Sequence, residues 1–139
     1  MGIVPMVTPL GDEDCLRLLG SASIGRVALT IGALPAIRTV RFALTPGRIV
    51  FRIASDPRLR QAVGAVIAFQ VDHFDLAAGQ GWLVHVQGRG EEVTDPLLVA
   101  QLDALPPEAW APTVRSDPFF SIPLTLVTGA RVEWPASGP

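Results

Sequence analysis

The sequence predicts a small, mainly antiparallel β-barrel with short helices at its joints. Runs rich in Val, Ile and Phe recur along the chain, with Gly and Pro between them. The clearest run, 82–89, alternates, with Trp82, Val84 and Val86 on one face and Leu83, His85, Gln87 and Arg89 on the other. The helical signals are short and start at caps. Asp56-Pro57 and Asp95-Pro96 each set a capping carboxylate before a proline suited to the first helical position.

Composition sets the class. The chain has 139 residues, one domain long enough for a real core. Apolar residues make up 49% and charged residues 17%, against roughly 25% charged on average, so some apolar surface is expected in a subunit interface. No apolar run approaches the ~20 residues of a membrane helix. The N-terminus lacks a basic region followed by an apolar core, and Cys15 is the single cysteine. Both predict a cytoplasmic protein without internal disulfides. Lys is absent, and no extended basic face marks a nucleic-acid binder.

Taken in order, residues 1–9 read as a lead-in and flexible end. Asp12, Glu13 and Asp14 open a helix closed by Gly20, with Cys15, Leu16 and Leu19 on one face. Residues 24–31 form a first strand. Strand 37–44 turns one way with Val40, Phe42 and Leu44 and the other with Thr39, Arg41 and Ala43. In strand 48–54, Ile49, Phe51 and Ile53 face the core and Arg48, Arg52 and Ala54 face outward. A short helix runs from Pro57 to about Gly64, and 65–71 is a buried strand. Residues 72–81 are a polar loop with His73 and Asp75, and 82–89 is the alternating strand. Leu98, Leu102 and Leu105 mark a third helix. A Pro-punctuated connector, 107–118, precedes two final strands within 119–134. The tail from 135 to 139 is expected to be flexible.

Charge is concentrated in one place. Residues 35–60 hold six of the eleven Arg and one acid, Asp56, for a formal +5 against −7 elsewhere. Closing the hairpin about Pro46-Gly47 sets Phe42 opposite Phe51 and Arg41 opposite Arg52. Like charges across a ladder repel, so water, an acid from elsewhere or a bound anion must compensate. Arg58 stands in a first helical turn, where the dipole disfavours a cation. These features predict an anion site formed by Arg41, Arg52, Ser55 and Arg58. The chain carries no Ser-His-Asp order, Gly-rich phosphate loop, Cys-x-x-Cys or His-rich metal set. Cys15 reads as a packed thiol and His85 as a structural side chain.

Several segments carry a resemblance. GRVAL, PAIRTVRFAL, RIVFRIASDPRL, VIAFQVD, GWLVHVQGRG and IPLTLVTGARV resemble the pyridoxamine 5′-phosphate oxidase-like family, and more narrowly the small actinobacterial members of its flavin-binding split-barrel fold. The similarity spans roughly residues 10–132. It implies a six-stranded antiparallel split β-barrel, homodimeric, with FMN at the dimer interface. By position, Arg38, Thr39, Val40, Arg41, Phe51, Arg52, Ser55, Arg58 and Leu59 would hold the cofactor, and Trp82 would stand beside the isoalloxazine. Relatives commonly have Pro-Val-Asn at Thr39-Val40-Arg41, Thr at Ile53, Lys at Arg58 and Ser at Leu83.

The resemblance implies a flavin-dependent oxidoreductase acting on a small molecule, with no catalytic residue assigned. The cofactor would supply the redox chemistry. A deazaflavin coenzyme is a close variant. The rival is a non-catalytic protein of the same fold that stores or senses a flavin, a deazaflavin or haem, or has lost its cofactor. His85 would be the haem ligand in that case.

Overall fold

The computed structural model describes residues 4–110 and 112–135. Among them are nine strands: β1 (Met6–Pro9), β2 (Ile24–Ile31), β3 (Leu34–Thr45), β4 (Arg48–Arg52), β5 (Val66–Asp75), β6 (Gln80–Arg89), β7 (Glu91–Glu92), β8 (Phe119–Pro123) and β9 (Leu126–Glu133). Two α-helices, α1 (Asp12–Gly20) and α2 (Pro96–Asp103), and two 3-10 turns, Pro57–Ala62 and Pro107–Trp110, join them. The strands run in the order β1-β9-β6-β5-β2-β3-β4-β8-β7, each pairing antiparallel. The mainly β, antiparallel class is as the sequence predicts.

Side-chain alternation places the core. Along β2, Val27, Leu29 and Ile31 are buried while Arg26, Ala28 and Thr30 face out. The inward residues of β3, β4, β5 and β6 join them, with Phe51 and Phe69 fully buried at the centre. The Phe42 and Phe69 rings meet edge to face at 4.9 Å. Phe69 also lies over Gly25, where an added Cβ would stand 2.3 Å from the ring. Gly32 and Ala33 both have positive φ, 57° and 67°, and turn β2 tightly into β3.

The hairpin register is the expected one, with Phe42 opposite Phe51 and Thr45 opposite Arg48. A second core was not expected. Val50, Leu102, Trp110 and Phe119 bury one another on the opposite face of β4. The indole N–H of Trp110 donates to the Leu102 carbonyl at 3.0 Å, tying the connector to the end of α2.

Several elements differ from expectation for physical reasons. Arg52 does not face solvent, because the second core covers that face of β4. On α1 the buried residues are Cys15, Leu18 and Leu19, and Leu16 is exposed, since the helix leans on the sheet one position further round. Leu44, expected in the core, is 37% exposed near the hairpin tip. The expected loop 72–81 is a hairpin in which β5 and β6 stay paired out to Asp75 and Gln80. Residues 6–9, expected to be loose, pair with β9 from Met6↔Glu133 to Pro9↔Ala130. The expected tail lies, beyond Pro135, outside the described residues. No helix among the described residues is long and apolar enough to cross a membrane.

Candidate functional site

The charged hairpin resolves into three environments. The first is the mouth of the barrel beside the β2–β3 turn. Arg58 opens the 3-10 turn after β4 and grips Asp56 with both ends of its guanidinium, Nε at 3.1 Å from Oδ1 and Nη2 at 2.8 Å from Oδ2. The Arg58 backbone N–H also donates to Asp56 Oδ1 at 2.9 Å. These bonds, first from the side chain and then from the backbone, hold the Asp56 carboxyl down at about 2, with the charges of Arg58 and Arg38 adding to them. The same pairing raises Arg58. Arg38, exposed in the first half of β3, donates to the neighbouring Ile37 carbonyl at 3.1 Å. The loop itself is anchored by Asp117, which accepts from the N–H of Ser55 at 2.9 Å and of Val114 at 2.8 Å.

The second environment is the outward face of β3, which carries Thr39 and Arg41. Arg41 stands opposite Ile24 of β2, and no acid pairs with it among the described residues.

The third is the second core, which takes Arg52. This side chain is 5% exposed, lies 4.0 Å from the centre of the Phe119 ring, and donates to Asp103 at 2.5 Å. Among the described residues its Nε has no partner. The β3–β4 ladder begins at Phe42↔Phe51, so the expected pairing of Arg41 with Arg52 is not part of it, and Arg52 has an acid of its own in Asp103. Asp103 sits at the C-terminal end of α2, where the helix dipole disfavours a carboxylate. That misplacement was the one signal in the sequence for this partnership.

Of the residues expected at a cofactor, the structure groups Arg38, Ser55 and Arg58 around the mouth and places Thr39 and Arg41 on the adjoining outward face. Val40 and Phe51 are core residues, 4% and 0% exposed. The side chain of Leu59 lies outside the described residues. Trp82 packs against the core from β6, three strands from β3 and so about 14 Å away along the sheet. Within one chain it does not join the arginines. Beside Ser55 and Asp56, a concavity of about 670 Å³ runs to Glu92, Ser116 and Phe120. It is large enough for part of a cofactor. Its lining carries the acids Asp56 and Glu92 and none of Arg38, Arg41 and Arg58; the residues of this region suited to a phosphate-bearing group are the exposed Arg38 and Arg58 beside it. Arg52, as placed, does not contribute. Asp117, which fixes the Ser55 loop, and Asp103, which holds Arg52 in the second core, were not anticipated.

No group of three His, Cys, Asp or Glu suited to a metal occurs among the described residues. Cys15 is fully buried, and its thiol is pushed up, first by burial and then by Asp12 and Asp14.

Comparison with known proteins agrees with this architecture. The chain is 35% identical over 132 residues to the uncharacterized protein Rv0080 of Mycobacterium tuberculosis, covering 91% of this chain and 86% of that one. Its fold is similar to that of the FAD binding protein from Mycobacterium smegmatis, with a TM-score of 0.72 and 27% identity over 91% of this chain and 98% of the other. It is also similar to a conserved protein of unknown function from Corynebacterium diphtheriae, with a TM-score of 0.73 and 28% identity over 91% and 98% of the two chains. The family model for pyridoxamine 5′-phosphate oxidase matches residues 11–131, and the chain belongs to that family.

Proposed function

We propose that the protein is a homodimeric flavoprotein that binds FMN by its phosphate at the mouth of the barrel and serves as an oxidoreductase on a small molecule. The observation that carries this reading is the cluster of Arg38 and Arg58 around Asp56, with Ser55 in the same loop and the unpaired Arg41 on the adjoining face. A phosphate dianion would compete with Asp56 for Arg58 and take charge-assisted bonds from Arg41 and Arg38. Asp117 would keep the Ser55 loop in place during that exchange. The M. smegmatis relative, named for FAD binding, supports a flavin as the ligand class.

When bound, the flavin would supply the electron transfer, so no acid or base of this chain is required for it. The chain's own residues would bind and orient. Ile53 is buried and apolar, so it gives no hydroxyl to the phosphate, which shifts the burden to the arginines. The exposed Ile24, Ile37 and Val66 lie on the outward side of β2, β3 and β5, and covering them favours a dimer. In that dimer Trp82 would reach the cofactor only from the partner subunit.

The test is a visible spectrum of the purified protein with titrations of FMN, FAD and riboflavin. Flavin fluorescence quenching with FMN bound more tightly than riboflavin is expected. A colourless protein that quenches none of the three would overturn the reading, and a Soret band would redirect it to haem.

A further inference from the structure

Asp56 occupies the place on Arg58 that a ligand anion would take. A guanidinium grips an oxyanion with two parallel N–H groups along one edge. On Arg58 the edge formed by Nε and Nη2 is filled by Asp56, at 3.1 Å and 2.8 Å. The opposite side lies beside the β2–β3 turn, where a Cβ on Gly32 would stand 3.3 Å from Cδ and 3.7 Å from Nη1. Arg38 is near enough for its charge to act on the same carboxylate. An incoming anion therefore meets an edge of Arg58 already held by an anion of the chain itself.

The contact is built to open. Asp56 and Arg58 flank Pro57, whose fixed φ sets them side by side at little cost in ordering. The Arg58 side chain is 60% exposed, and exposed ion pairs contribute little, so a ligand has only a weak bond to displace. Asp56 also accepts the Arg58 backbone N–H at 2.9 Å, a bond that keeps the turn capped when the guanidinium leaves. Its side chain lines the concavity of about 670 Å³ with Ser55 and Ser116, which leaves room for the carboxylate to turn aside.

We propose that Asp56 is an internal competitor for the ligand phosphate: it closes on Arg58 when the site is empty and must release the guanidinium for the phosphate to be held. The proposal rests on the phosphate reading above and adds its regulation. Affinity for any anion gripped by Arg58 is reduced by the fraction of molecules in which the latch is open. A neutral ligand carries no such penalty.

Asp56→Asn is the informative variant, because Asn keeps the cap and loses the charge. FMN, riboflavin and inorganic phosphate are titrated into the full-length protein, with the Asp56 carboxyl carbon followed by NMR at neutral pH. Asp56→Asn is expected to bind FMN and inorganic phosphate about two- to fivefold more tightly, the scale of one exposed ion pair, and riboflavin unchanged. In an Arg58→Ala background the same substitution should leave FMN affinity nearly unchanged, because Asp56 acts through Arg58. In the wild type, saturation with either anion should move the Asp56 carboxyl resonance toward its position in Arg58→Ala. That wild-type signal decides the question even if a variant fails to fold. A gain for inorganic phosphate without any FMN binding would uphold the latch and overturn the flavin reading. Binding of neither anion, unchanged or weaker binding in Asp56→Asn, an equal gain in the Arg58→Ala background, or a carboxyl resonance that stays in place would overturn the latch.

Discussion

Arg52 donates to Asp103 at 2.5 Å beneath the ring of Phe119, joining the end of β4 to the C-terminal end of α2. Two charges are removed from water there, and breaking such a pair from one side leaves the other charge buried alone. Asp103→Ala should therefore cost about 3–5 kcal/mol in urea unfolding. Asp103→Asn, which keeps one acceptor for Arg52, should cost less. The double replacement Arg52→Met with Asp103→Leu should recover much of the loss. Equal stability of Asp103→Ala and the wild type would mean that the pair contributes nothing.

The Asp56–Arg58 pair gives a pH signature. The folded carboxyl titrates at about 2, below its ordinary 3.8. A depressed acid stabilises the fold fully above its unfolded pKa and loses that contribution as pH falls through the folded value. The loop should therefore keep its order down to pH 3.8 and relax between there and about 2. Carboxyl NMR titration reads this directly, and Arg58→Ala should return Asp56 toward its ordinary range.

Phe69 lies over Gly25 so closely that a methyl group there would meet its ring at 2.3 Å. Because Phe69 also packs on Phe42, it has little room to retreat. Gly25→Ala should destabilise the protein by about 1–3 kcal/mol through overpacking. A thermal scan checks it, and an unchanged midpoint would show that the ring moves freely.

The legible part of the fold was the part with local signals. The alternation of β6, the cap at Asp95 and the register about Pro46-Gly47 follow from period and turn chemistry, and all appear in the structure. The second core was not legible, because Val50 and Arg52 are covered by Leu102, Trp110 and Phe119 from distant and irregular segments. Period alone placed the Arg52 side of β4 in solvent. The same gap affected the site. The excess charge of the hairpin was visible, whereas its division among Asp56, Asp103 and open solvent depends on α2 and the 107–118 connector.

The central claim is that Arg58 and Arg38 at the barrel mouth, with the half-buried Arg41 on the outward face of β3, hold a flavin phosphate. The direct measurement is the affinity of FMN relative to riboflavin, which lacks the phosphate, in the wild type, Arg58→Ala and Arg41→Ala. Each variant should reduce the preference for FMN about tenfold or more, the scale of one lost charged hydrogen bond, and leave riboflavin nearly unchanged. Equal losses for FMN and riboflavin, or no loss for either, would contradict the account.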